Sequence, residues 1–154
     1  MNNTLQANHY FEMGLRLLQA GDCQNAIDLL SIAIDLNSRF GEAYGYRGLA
    51  YFNLGTYQEA MDNYDIALSL DSSLEKVYFF RGILHLQLAH YQQAVNDFTV
   101  ALEWDNHFAD AYYYRGICRG LLDEQKGALL DLKFAAQLGN RIAQKVLNEK
   151  GIVW

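Results

Sequence analysis

The 154-residue sequence has no proline and only two cysteines. Cys23 and Cys118 stand far apart without a CxxC spacing, and they read as two small buried apolar residues rather than a disulfide or metal pair. Basic residues are sparse, 12 Lys and Arg against 18 Asp and Glu, for a formal net charge of −6. Proteins that bind nucleic acid neutralise phosphates with Lys and Arg, so this balance argues against a nucleic-acid partner. It disfavours an anionic membrane surface for the same reason. No apolar run reaches the roughly 18 residues a membrane span needs. The opening Met1-Asn2-Asn3-Thr4 lacks the basic and apolar stretches of a signal peptide. The expected location is therefore the cytoplasm. No sustained period-two alternation predicts a strand. His9, His85, His90 and His107 give no i,i+4 pair, and HExxH, GxSxG, GxGxxG and GxxxxGK[ST] do not occur. Neither an enzyme nor a metal or cofactor site is expected.

What the chain has instead is a period of 34 residues. Tyr10, Tyr44, Tyr78 and Tyr112 align, as do Gly14, Gly48, Gly82 and Gly116. Ala26, Ala60, Ala94 and Ala128 form a third column, and Ala33, Ala67, Ala101 and Ala135 a fourth. Helical spacing, as in Ala60, Tyr64 and Ala67, predicts first helices near 8–20, 41–54, 75–88 and 109–122. Second helices are predicted near 24–36, 58–70, 92–104 and 126–138. Gly21 and Gly55 suit left-handed helix ends, and Asp71-Ser72-Ser73 and Asp105-Asn106 offer N-cap oxygens to the next helix. The small-residue columns let two helices approach closely, and the aromatic column fills the remaining space.

These units resemble tetratricopeptide repeats. The fullest copy, 41–74, contains EAYGYRGLAYFNLGTYQEAMDNYDIALSLD with Tyr44, Gly48, Tyr51, Gly55-Thr56-Tyr57, Ala60, Tyr64 and Ala67. Two departures stand out. Ser38, Ser72, Asn106 and Asn140 replace the family's closing proline, and His85 and Arg119 occupy the column where Tyr51 is aromatic. The resemblance implies an all-α fold, a right-handed superhelical solenoid of antiparallel helix pairs with a concave binding face. It implies one domain over 1–154, with repeats at about 7–40, 41–74, 75–108 and 109–140 and a capping helix at about 140–150.

Two further patterns bear on function. Arg47, Arg81 and Arg115 each precede a column glycine, with Asn63, Asp97 and Asp131 standing 16 residues on. In the first copy the same columns hold Met13 and Leu29. The paired change predicts intra-repeat Arg–Asp contacts; the alternative is a cationic strip for acidic ligands. The first helices also carry a second apolar stripe beside the column tyrosines, a candidate peptide-binding groove. Its apolar members are Phe11, Leu15, Leu18, Leu49, Phe52, Phe79, Ile83, Leu86, Tyr113 and Ile117, and Tyr46, Phe80 and Tyr114 stand beside them. Asn8, Glu42, Asn53, Lys76, Gln87 and Asp110 are placed to hydrogen-bond a ligand backbone. The other reading of these aromatics is plain helix-to-helix packing.

Repeats of this family that grip the C-terminal carboxylate of heat-shock chaperones use Lys, Asn and Arg in the groove. Only Lys76 agrees here, while Phe11, Leu15, Tyr46 and Phe80 make apolar walls that do not stabilise a buried charge. The expected function is a protein-interaction module, an adaptor, assembly factor or scaffold, binding an apolar or amphipathic segment of another protein. The alternatives are a secretion-type chaperone for a hydrophobic partner and a self-assembling structural protein. The apolar end, Gly151-Ile152-Val153-Trp154, is expected to fold back on its own capping helix, or else to join copies into a weak homo-oligomer.

Overall fold

A computed structural model describes residues 3–154, all of whose regular elements are α-helices. The first repeat is α1 (Asn3–Gln19) and α2 (Cys23–Leu36), the second α3 (Gly41–Asn53) and α4 (Tyr57–Leu70). The third is α5 (Glu75–Gln87) and α6 (Tyr91–Trp104), the fourth α7 (Ala109–Leu121) and α8 (Gln125–Gln137). The short α9 (Arg141–Glu149) follows. The predicted pairs are all present. The first helix starts at Asn3 rather than near residue 8, because Ala7 is fully buried and extends the packed stripe by a turn.

Each helix turn ends in a way the repeat pattern dictates. After α1 and α3, Gly21 and Gly55 adopt φ of 82° and 79°. The next amide bonds five residues back, from Asp22 N to the Leu17 carbonyl and from Thr56 N to the Tyr51 carbonyl. The third and fourth repeats make the same turn without glycine, with Ala89 at φ 58° and Asp123 at φ 62°. The aspartates between repeats do something other than the expected N-capping. Asp71 and Asp105 follow α4 and α6 as C-caps, and their carboxylates accept from Ser73 N at 2.9 Å and His107 N at 2.9 Å. Phe108, at the start of α7, has no side-chain cap bond. A carboxylate two residues from an amide closes a local turn more readily than it reaches a helix four residues on. The Ser73 hydroxyl and amide also hold the Asp71 carboxyl below its ordinary pKa. Asn140 does cap, accepting from Ala143 N at 2.8 Å at the start of α9.

The chain divides into two compact units, residues 1–80 and 81–154. In the first unit the small-residue columns bring α3 onto α4: a Cβ on Gly48 would meet the Tyr64 ring at 2.7 Å. Tyr64 is fully buried, and burial raises its phenol pKa. Phe11, Leu30, Ala33, Ile34 and Ala43 form one core cluster with Phe40 and Tyr46 packed against it. In the second unit Phe98 fills the space beside Gly82, and Ala135, Ala136, Ala143 and Leu147 join α8 to α9. Cys23 and Cys118 are buried free thiols, and burial pushes the Cys118 thiol up to about 11.

Candidate functional site

In the first unit, α1 and α3 lie side by side with a cleft of about 280 Å³ between them. Leu15, Leu18, Tyr46 and Leu49 give it apolar walls, and the amides of Gln19 and Asn53 stand at its edge. The spacing explains the convergence. Tyr46, Leu49 and Asn53 fall at i, i+3 and i+7 on one stripe of α3, and Leu15, Leu18 and Gln19 at i, i+3 and i+4 on one stripe of α1. Tyr46 also borders a smaller hollow of about 60 Å³ with Glu42, Leu74, Glu75, Lys76 and Val77. The tyrosine ring is held in place on both sides, at 5.7 Å from Phe11 and 5.6 Å from Phe80 in edge-on contacts. Gly45 sits one residue before Tyr46, where a Cβ would meet the Val77 side chain at 2.5 Å, so Val77 of α5 packs directly on the α3 backbone.

Not every expected groove residue joins this surface. Phe11 is a correction: it is 7% exposed, covered by Phe40 at 4.7 Å and by Tyr46, and serves as core. Phe52 is not among the residues lining the cleft and packs against the Tyr57 ring at 5.7 Å. Phe80 lies between Tyr46 and Tyr64, and Phe79 packs edge-on against Phe80. Asn8, Glu42, Asn53 and Lys76 are exposed. In the second unit Ile83, Tyr113, Tyr114 and Ile117 are half-buried, and Gln87 and Asp110 exposed. Tyr113 and Tyr114 meet edge-on at 5.1 Å. Burial, then Tyr113, then Asp110 raise the Tyr114 phenol. Asp110 accepts from the Asn140 amide at 2.7 Å, which ties α7 to the start of α9. The column reading missed Gln19 and Leu74. Leu74 shares a 34-residue register with Phe40 and Phe108, an apolar column that was there to find. It also missed a hollow of about 420 Å³ along the start of α1, lined by Leu5, Gln6, His9 and Tyr10.

The arginines are structural, as their paired columns predict. Arg81 makes a two-pronged contact with Asp97, both bonds 2.8 Å, and Arg115 does the same with Asp131 at 2.9 and 2.8 Å. Arg47 donates to Asn63 at 2.8 Å. Two features were not anticipated. Arg47 and Arg115 also reach back 16 residues, to the Ser31 hydroxyl at 3.0 Å and the Thr99 hydroxyl at 3.1 Å. Arg119, a departure from the aromatic column, gives Asp131 a second guanidinium at 2.7 Å. His85, the other departure, lies 3.8 Å from Asp97. The two polar residues of that column thus face the two carboxylates, where an aromatic ring would leave an acceptor less well paired.

Residues 11–75 and 75–108 match the Tetratricopeptide repeat family. No curated protein matches the chain. Among solved structures, pilF of Pseudomonas aeruginosa superposes with a TM-score of 0.86 at 16% identity, over 98% of this chain and 72% of that one. MamA does so at 0.78 and 20% identity, over 90% of this chain and 81% of that one. The first TPR of Spaghetti (RPAP3), bound to the HSP90 peptide SRMEEVD, reaches 0.74 at 23% identity, over 78% of this chain and 95% of that one. At these identities the likeness is one of fold. Among the described residues no helix is long and apolar enough to cross a membrane.

Proposed function

The chain belongs to the tetratricopeptide repeat family, and on that premise we propose that it is a protein-interaction module, an adaptor or assembly scaffold, that holds an apolar or amphipathic peptide segment against its first helices. The observation that carries this reading is the cleft of Leu15, Leu18, Tyr46 and Leu49 edged by the amides of Gln19 and Asn53. An apolar floor takes up alternate or i,i+3 side chains of a ligand, while the amides supply donors and acceptors to its backbone. Repeats stacked in one dimension characteristically use such extended faces for binding. Within the first unit the half-buried Phe79 is a further member of the proposed surface; in the second unit Ile83, Tyr113 and Ile117 are half-buried as well. An acidic C-terminal peptide is a poor fit, because the residues lining the cleft include no cation, and Lys76 in the smaller hollow stands beside Glu42 and Glu75.

A peptide library displayed on phage tests this. Peptides selected on the chain are expected to carry two or more large apolar residues and to bind Leu49→Ala about tenfold more weakly, with the melting temperature nearly unchanged. Selected peptides that bind the variant equally well, or an affinity that falls only in step with stability, would remove the cleft from the proposal.

A further inference from the structure

The outward faces of the second helices change sign along the chain, and the change falls on fixed repeat positions. The exposed residues of α2 are Gln24, Asn25, Asp28, Ile32 and Asp35, two carboxylates and no cation. Those of α4 include Glu59, Asp62, Asp65 and Ile66, again with no cation. On α8 the exposed residues are Gln125, Lys126, Leu129, Leu130, Phe134 and Gln137, with no carboxylate, and the half-exposed Lys133 stands beside them. The helix's one acidic residue, Asp131, is turned inward onto Arg115 and Arg119. In the 34-residue register Asp28 and Asp62 become Leu130, Gln24 and Gln58 become Lys126, and Ile32 and Ile66 become Phe134.

Each face also leaves large apolar side chains in water. Ile32 and Ile66 are 38% and 40% exposed, each flanked by aspartates, and Leu130 and Phe134 are 53% and 42% exposed, each flanked by lysine. Isolated exposed apolar residues are ordinary. Apolar residues framed by one sign of charge on one helix, and by the opposite sign on its repeat counterparts, are complementary surfaces. Every molecule carries both, so they always occur at equal concentration.

We propose that the α8 face of one copy docks on the acidic α2 and α4 face of a second copy. The two patches differ, so the contact is heterologous and each bound copy leaves one patch of each kind open, which extends to chains rather than closing at a dimer. A contact of one helix face is small, and the resulting association is reversible and sensitive to ionic strength. The surface is separate from the first-helix cleft and stands or falls independently of it.

Sedimentation velocity of the full chain over a range of concentrations is the test. The weight-average sedimentation coefficient is expected to rise with concentration. It should fall as salt is raised from about 0.15 M, where charges are screened beyond about 8 Å, to about 1 M, where the distance is about 3 Å. Lys126→Glu with Lys133→Glu is expected to weaken self-association about tenfold or more, and so is Asp28→Lys with Asp35→Lys and Asp62→Lys. Mixing the two variants should restore it, because each then meets its complement. These positions are on the surface, and circular dichroism of each variant verifies that it is folded. A wild-type chain that stays monomeric throughout overturns the proposal, as does association that neither variant weakens or a mixture that does not recover. Pelleting of a monomeric chain with phosphatidylserine vesicles through Lys126 and Lys133 would assign the face to a lipid surface instead.

Discussion

Asp131 accepts from three guanidinium nitrogens while only 1% of its side chain is exposed. Truncating it would leave Arg115 and Arg119 partly buried with their main acceptor gone, so Asp131→Ala is expected to cost about 3 kcal/mol in urea denaturation. A loss under about 1 kcal/mol would place the contact among ordinary surface pairs. Half of this network was legible in the sequence. The change from Met13 and Leu29 to Arg and Asn or Asp within one repeat is a paired substitution that column alignment exposes. The contacts to Ser31 and Thr99 were not legible, because they cross a repeat boundary and a hydroxyl makes no distinctive column. Cys118 is a second residue-scale case. Burial moves its thiol from the ordinary 9.0 to about 11, so the raised folded-state value favours the folded chain below about pH 9. That contribution is expected to disappear as pH rises from about 9 to about 11, and a Cys118→Ala chain should show a flatter denaturation profile over that interval. Alkylation of Cys118 in the native chain as fast as in urea would contradict the protonated, buried thiol.

At the level of elements, the turn between paired helices is one device executed four times with different residues. Gly21 and Gly55 take the left-handed conformation without strain, whereas Ala89 and Asp123 place a Cβ there. Ala89→Gly is therefore expected to stabilise the chain by about 1 kcal/mol, read as a rise in melting temperature. A fall would mean that the greater freedom of glycine in the unfolded chain outweighs the relief of strain. Helix positions and helix type were legible because Gly and Ala columns at close crossings tolerate little variation; a Cβ at Gly48 or Gly82 would strike an aromatic ring at 2.7 Å. The roles of Asp71 and Asp105 were not legible, since an aspartate between helices serves equally as the cap of the next helix or the turn of the last. On the candidate site, Tyr46, Leu49 and Asn53 could be placed on one surface from helical spacing alone. The burial of Phe11 could not, because it depends on Phe40, which lies outside any helix.

For the molecule as a whole, the end of the chain matters more than its length suggests. Gly151 turns at φ 65°, and Ile152 N bonds the Leu147 carbonyl at 2.9 Å. Ile152 packs against Ala143 and Leu147, and the Trp154 indole donates to Asn148 at 3.0 Å. The tail thus folds back as expected for Ile152 and Trp154, while Val153 remains 86% exposed. Deleting 152–154 is expected to lower the melting temperature by an amount independent of protein concentration, since about 25 cal/mol is lost per Å² of apolar burial. A melting temperature unchanged by the deletion would show that the tail contributes nothing to the second unit. The two-way reach of the arginines bears on how such an array can be lengthened or shortened by recombination. Arg47 takes one partner 16 residues ahead and another 16 residues behind, so its hydrogen-bonded set is α2, α3 and α4 rather than the α3–α4 pair. A gene segment copied or excised in the frame 41–74 would keep the bond to Asn63 and exchange Ser31 for whatever the new upstream neighbour supplies. Shuffled repeats therefore inherit a junction rule: the incoming second helix must carry an acceptor at the position of Ser31, or the arginine after it loses one of its two anchors.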